Sequence, residues 1–469
     1  MSRTSLENMR PDAQDPNALQ VASLYGLTPK VEDAILDALE AGQHSRVRML
    51  VAPLHPADQA DLLERVKPSI CANLIAALGE DLDPEAIAYL DEEGLEQVLD
   101  VLGPDAIAEK LPSLDSDDVV TIAEELEPDE LDEVLQAMPA QDRVLVEQAL
   151  AYPEDSAGRL MQREMVVVPP FWTVGQTIDY LRSAEFDKQD FHQIMVTDPA
   201  SHPIGEVPLS RLLCTARPRR LSEIMDQDMR SIPVLMDQEE VAILFRRYAM
   251  ISAGVIDDEG RLVGIITQDD VLDVIDEEAE EDLMALAGVS DANIRISVLE
   301  TLRGRAGWLM VNLLTAVLAS IVIGFFESTI EQLVVLAVLM PIVASMGGNA
   351  GTQTVTVAVR AIAMREFGQT KVLDFARKEL LVGLLNGLLF AVVAAIFCLI
   401  WFGNINVALV LGAAMIVNLV VAALSGTVIP LTLVRMGVDP AVASSVFLTT
   451  VTDVIGFFVF LGLAGLFLL

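Results

Sequence analysis

Cysteine, histidine and positive charge are all scarce in this 469-residue chain. Its three cysteines, Cys71, Cys214 and Cys398, are too widely separated to form a paired metal motif or a disulfide framework, and they read as buried thiols in a reducing compartment. The four histidines, His44, His55, His192 and His202, are scattered through the first half of the chain. No nucleophile–base arrangement and no G-x-x-x-x-G-K phosphate loop occurs, so the chain reads as something other than an enzyme. With 30 Lys and Arg against 69 Asp and Glu, the net charge is −39, which disfavours nucleic acid and suits cations. The N-terminal stretch MSRTSLENMRPDAQDPNALQ lacks the apolar core of a signal peptide, and residues 1–27 read as a disordered tail.

Yet 52% of the residues are hydrophobic, which fits so acidic a chain only if acid and apolar side chains occupy different regions. The acids lie almost wholly before Leu299, and apolar runs fill Trp308 to Leu469. A membrane span needs about 20 apolar residues. Five can be cut: Trp308–Phe326; Leu333–Ala344 with its continuation past a glycine-rich segment; Leu380–Trp401; Val407–Leu433; and Val442–Leu469. Arg303 and Arg305 precede the first, Arg365, Lys371, Arg377 and Lys378 follow the second, and Arg435 follows the fourth. The linkers Glu327–Glu331 and Gly403–Asn406 carry no Lys or Arg. By the positive-inside rule the acidic part is cytoplasmic and the C-terminus outside.

Two features interrupt the apolar runs. In the second span, Gly347, Gly348 and Gly351 permit close backbone approach and unusual torsions, so the segment reads as a break that exposes carbonyls. The alternative is that these glycines pack helix against helix. Asn349, Thr352 and Gln353 add neutral oxygens, which can hold a hydrated cation without stripping its shell. In the fifth span, TTVTDVIG (Thr449–Gly456) sets Asp453 among hydroxyls, with Thr449 and Thr450 one turn before it. A carboxylate in so apolar a run is costly unless it faces water, a partner or an ion. A salt bridge is the competing reading, but spans three to five contain no Lys or Arg to make it.

Residues 28–155 read as short helices punctuated by Pro or Gly, with acidic or polar residues beside prolines as start signals, as in HPADQADLLERV and EPDELDEVLQAM. Such repeats bury their apolar faces on one another as a helical superhelix. A β-type register follows, and the theme of MVVVPP, FHQIMVTD and HPIGEVPLSRLL recurs as IPVLMDQEEVAILFRRYAM and SAGVIDDEGRLVGIITQDDVLDVI. If Asp270 to Asp282 continues as helix, Asp270, Asp273 and Glu277 share a face with Glu281 one turn further on. That acidic face is either plainly solvated or a switch closed by divalent cations.

The paired β-α units resemble tandem CBS domains, most closely at GRLVGIITQDDVLDVI (Gly260–Ile275). The segments PIVASMGGNAGTQ, SGTVIPLTLVRMGVDPA and TTVTDVIG, in that order behind an acidic cytoplasmic part, resemble the MgtE family of magnesium transporters. The resemblance implies a multidomain membrane protein. Its parts would be an all-α superhelical N domain (28–155), α/β tandem CBS domains (156–220 and 221–280), a connecting plug helix (281–306) and a five-helix transmembrane domain (307–469). It further implies a homodimer in the plasma or inner membrane, with a central Mg²⁺ pore gated by Mg²⁺ and an adenine nucleotide as a candidate ligand of the CBS pair. Asp453 would be the pore aspartate, with Thr449 and Thr450 beside it, and Asn349 and Gly348 would mark a bend at the pore. Glu239, Asp270, Asp273, Glu278, Glu281 and Asp282 would bind regulatory Mg²⁺. The chain departs from the pattern at Ala249, often acidic in the family, at Ser252–Ile256, and at Ser445-Val446. Two other readings stay open: a broader Co²⁺ or Mn²⁺ permease, and a CBS-based membrane sensor or scaffold.

Overall fold

Proline opens helix after helix in the N-terminal part. Pro29, Pro56, Pro68, Pro84, Pro104 and Pro128 each stand at the first helical residue, where the missing amide costs nothing. The side chains of His55, Asp83 and Asp91 accept hydrogen bonds from the amides of Ala57, Glu85 and Gly94, and Glu127 and Glu130 form a reciprocal capping box. These short helices pair, as Pro29–Glu40 does with His44–Val51 and Pro68–Leu78 with Glu92–Leu102. Ile35, Val47, Leu74, Ile75, Ile87, Val98 and Ile107 are buried in their common core. The computed structural model describes residues 26–183, 191–287, 289, 298–365 and 371–469, so most of the expected disordered tail lies outside the described residues. Leu27, at its end, is already buried in the helical core.

Two matching three-stranded sheets follow. The first is β1 (Val167–Val168), β2 (Gln193–Thr197) and β3 (Pro203–Pro208); the second is β4 (Ile232–Pro233), β5 (Ser252–Ile256) and β6 (Leu262–Thr267). In each, a parallel pair is followed by an antiparallel pair. The hairpin turns match as well. Asp198 accepts from the amides of Ala200 and His202 around Ser201 at φ 65°, and Asp257 accepts from those of Glu259 and Arg261 around Gly260 at φ 77°. The repeats exchange their leading segments. Ala157 and Met161 lie in the core built on β4–β6, while Leu221 lies in the core built on β1–β3. Of the three thiols, Cys71 and Cys398 are buried as expected, but Cys214 is exposed because it caps the end of the short surface helix Leu209–Leu213.

The chain divides into two units, Met1–Ile275 and Asp276–Leu469. In the second, five helices are long and apolar enough to cross a membrane. Span one lies within Val298–Gly324; spans two to five are Val335–Ala363, Lys371–Phe402, Ile405–Arg435 and Pro440–Phe467. The expected break in span two is absent: the helix runs through the glycine-rich segment without interruption, with Pro341 in its interior and none of its glycines at positive φ. Gly347 and Gly351 are there for packing. A methyl group on Gly347 would lie 2.2 Å from Asn418 of span four, and one on Gly351 2.6 Å from Leu448 of span five. Spans three and four approach in the same way, since a methyl on Gly387 would lie 3.0 Å from the Ile416 Cα and one on Gly383 3.0 Å from the Leu419 carbonyl oxygen. Gly383, Gly387, Ala391, Ala394 and Cys398 form the buried face of span three.

Candidate functional site

Spans two and five run antiparallel, because the contacts climb residue numbers on one as they descend on the other. Gly351 meets Leu448, and Gly347 and Gly456 both meet Asn418. Interpolating between these contacts sets Asp453 level with Gly348 and Asn349. Gly348 has open space where a side chain would stand, with no described atom within 4 Å. Ser345, Asn349, Thr352 and Thr356 recur at helical spacing and are exposed along one face of span two; on span five Thr449 is exposed and Thr450 and Asp453 are half-exposed. The threonine hydroxyls are spent on the helices themselves: Thr352 donates to the Gly348 carbonyl, Thr449 to that of Ser445 and Thr450 to that of Val446. Asn349 Nδ2 reaches Ser345 Oγ at 3.5 Å. Arg377 pairs with Asp374 in the first turns of span three, and among the described residues no ion pair reaches Asp453. A neutral polar face and one unpaired carboxylate in an apolar helix suit an ion that keeps its water.

The regulatory positions expected from the sequence divide between two groups. The helix Gln268–Ala287 is continuous, as anticipated, and carries most of them. In the first unit Asp270 faces Asp117 and Asp118 of the helix Ser116–Glu124, with Asp115, Asp269, Asp273 and Glu85 adding to the negative field. Thr267 donates to Asp270 Oδ2 through its hydroxyl at 2.7 Å and its amide at 3.3 Å. Burial first, then the neighbouring carboxylates, raise all three: Asp117 lies well above the ordinary carboxylate range, Asp118 is raised to about 7 and Asp270 to about 6. Partial burial first, then Asp118 and its neighbours, raise the phenol of the largely exposed Tyr89.

In the second unit Asp282 is raised by burial, then by Asp439 from the turn before span five, then by Glu281. Beside them Ala285 and Leu286 pack against Val355, Val359, Ile429, Ala441 and Leu448, at the ends of spans two, four and five. Glu278 is half-exposed on the same helix, and Glu239 is exposed on the first turn of Gln238–Tyr248, where its amide donates to the capping Asp237. Asp117, Asp118 and Asp439 were not singled out from the sequence. The sequence set Asp117 and Asp118 beside Asp115, but only the tertiary contacts set them against Asp270 and set Asp439 against Asp282. Among the described residues no three metal-binding side chains already converge.

Ala249, where the family pattern is often acidic, ends the helix Gln238–Tyr248 in the left-handed conformation at φ 50°.

Comparisons with known proteins agree with this architecture. A family model described as divalent cation transporter matches residues 340–463, one described as the MgtE intracellular N domain matches 54–155, and a CBS domain model matches 221–277. The magnesium transporter MgtE of Bacillus subtilis is 30% identical over 324 residues, 69% of this chain and 72% of that protein. That of Thermus thermophilus is 35% identical over 328 residues, with the same coverage of 69% and 72%. A solved cytosolic domain of the Mg²⁺ channel MgtE in complex with ATP is 30% identical, covering 52% of this chain and 99% of that one at a TM-score of 0.49. With its helical N-terminal part, paired three-stranded sheets and five apolar helices, the chain belongs to the MgtE family of magnesium transporters.

Proposed function

We propose that this protein is a Mg²⁺-gated channel that admits Mg²⁺ passively and closes when cytosolic Mg²⁺ binds its acidic clusters. The observation that carries the reading is the layer in which Asp453 stands level with Gly348 and Asn349, between the contacts at Gly351 and Gly347. Two copies of the chain would bring two such layers to one axis, giving a hydrated dication a carboxylate from each side. No energy source is needed. A membrane potential supplies about 2.3 kcal/mol per charge per 100 mV, and a dication gains double.

The gate follows from charge. At low Mg²⁺ the carboxylates of Asp117, Asp118 and Asp270 repel, as do Asp282, Glu281 and Asp439. Bound Mg²⁺ cancels the repulsion and holds the helix Gln268–Ala287 with its end against spans two, four and five, close to Leu448. From Leu448 to Asp453 is five residues, roughly 7 Å along a helix, so that contact lies within reach of the ion layer. Glu239, Asp273 and Glu278 would add weaker sites, and exposed carboxylates of this kind suit a sensor working near millimolar Mg²⁺. The N-terminus is cytoplasmic and the C-terminus outside, in keeping with the Lys and Arg distribution. An adenine nucleotide is a second candidate ligand, at the CBS pair.

The test is Mg²⁺ flux into proteoliposomes for wild type and Asp453→Ala, at low and high Mg²⁺ on the cytoplasmic side. Entry that is lost in D453A and suppressed by cytoplasmic Mg²⁺ supports both pore and sensor. Folded, dimeric protein without flux under any condition would leave the sensor or scaffold reading. Equal entry of Co²⁺ or Mn²⁺ would favour the broader permease, a breadth the family model's description as a divalent cation transporter allows.

A further inference from the structure

Asn418 is a polar side chain at 1% exposure in the middle of span four. Its Nδ2 donates across the helix boundary to the Val343 carbonyl oxygen of span two at 2.8 Å, which also fixes the amide's orientation, since a carbonyl accepts only from the nitrogen end. The amide sits in a notch cut by two glycines from two other helices. A methyl on Gly347 would lie 2.2 Å from Nδ2, and one on Gly456 2.9 Å from the same atom. The amide oxygen Oδ1 has no conventional donor among the described residues. It lies 3.1 and 3.2 Å from those same two positions, so both glycines border the whole amide. A single side chain thus touches spans two and five at once. On span two it does so beside Gly348 and Asn349; on span five, one turn from Asp453.

Glycine-lined helix faces pack closely but lack the side-chain ridges that fix how far one helix slides or turns against the next. A directional hydrogen bond to one particular carbonyl supplies that register. We propose that Asn418 is a positioning residue for ion passage, holding spans two and five in the register that keeps Asp453 level with Gly348 and Asn349. This rests on the reading of that layer as the ion path, so the test must separate the two ideas.

The experiment measures Mg²⁺ uptake by the full-length protein in proteoliposomes for wild type, Asn418→Leu, Gly456→Ala and Asp453→Asn. For each it records half-saturating Mg²⁺, maximal rate, discrimination against Co²⁺, and the unfolding midpoint in detergent. N418L removes the donor at similar volume; G456A keeps Asn418 but crowds its amide. Both are expected to raise half-saturating Mg²⁺ by about tenfold and to weaken discrimination, since small misplacements of reacting groups carry effects of this size. G456A is expected to lower the unfolding midpoint as well, because its methyl would lie 2.9 Å from Nδ2, so half-saturation and discrimination are compared at equal amounts of folded protein. Unchanged half-saturation and discrimination in both, with D453N inactive, would overturn the positioning role while leaving the ion path in place. A fall in maximal rate alone, in proportion to folded protein lost, would also overturn it, because a purely structural residue would do the same. D453N conducting like wild type would remove the ion path on which the inference rests. If N418L does not fold, G456A decides the matter by the same readouts.

Discussion

The residues proposed to set the sensing range are those whose carboxyls burial and neighbouring acids raise. Asp118 and Asp270 titrate at about 7 and about 6, against about 4 for an ordinary aspartate. A carboxyl raised in the folded state binds its proton more tightly there than in the unfolded chain. Its contribution to stability is therefore complete below about pH 4 and is lost as pH rises through 6 and 7. Without divalent cations, the unfolding midpoint should fall between pH 5 and pH 8, and added Mg²⁺ should restore more of it at pH 8 than at pH 5. A midpoint flat across that range in calorimetry would mean the cluster is too hydrated to couple. By the same logic Asp118→Asn removes a repelling charge and favours the closed state. Cytosolic Mg²⁺ for half-inhibition should then drop by roughly fivefold or more in flux assays, within the usual span of coupling energies. Ala249 makes a simpler case. Its left-handed conformation costs alanine about 1 kcal/mol, which Ala249→Gly should recover as a higher midpoint, with flux unchanged.

Among the elements, span two shows how one glycine-rich segment divides its labour. Gly347 and Gly351 face neighbouring helices, whereas Gly348 faces open space. Gly348→Ala should therefore leave the unfolding midpoint nearly unchanged while altering Mg²⁺ uptake. Gly387→Val, in a helix contact remote from Asp453 in sequence, should do the reverse. It drives two methyls against the Ile416 backbone at a cost of about 1–3 kcal/mol, read as a lowered midpoint. Equal loss of stability in both variants would show that Gly348 is a packing glycine too. The five spans were legible from hydropathy, and the starts of several N-terminal helices from proline with its polar neighbours. The continuity of span two was not. A glycine has the same letter whether it breaks a helix or admits a neighbour, and what distinguishes the cases is Asn418, 71 residues beyond Gly347 in sequence.

For the whole molecule, the charge distribution makes a topological prediction. The two linkers without Lys or Arg should face the outside, and everything before Leu299 should face the cytoplasm. The exposed native Cys214 and a cysteine introduced at the exposed Ser328 provide the pair of reporters. In intact cells a membrane-impermeant thiol reagent should label Ser328→Cys and spare Cys214, which should react only after permeabilisation. Labelling of Cys214 in intact cells would invert the orientation and with it the side on which Mg²⁺ is proposed to close the channel.

The sequence by itself determined which regions meet lipid and which meet water, the helical and β registers, the repeat of the paired sheets, and the isolation of Asp453 from any partner in its own span. These follow from local rules: hydrophobic runs, spacing and start signals act within a few residues of one another. Tertiary structure decided which acids are raised, because burial acts first on Asp117 and Asp118, and Asp270, more than 150 residues away, adds to the field of the acids beside them in sequence. It also decided that Gly347 and Gly351 pack rather than break the helix, and that one buried amide joins spans two, four and five. Each is a property of surfaces meeting across the fold, set by the shape and charge of the facing side rather than by the residue's own sequence neighbours.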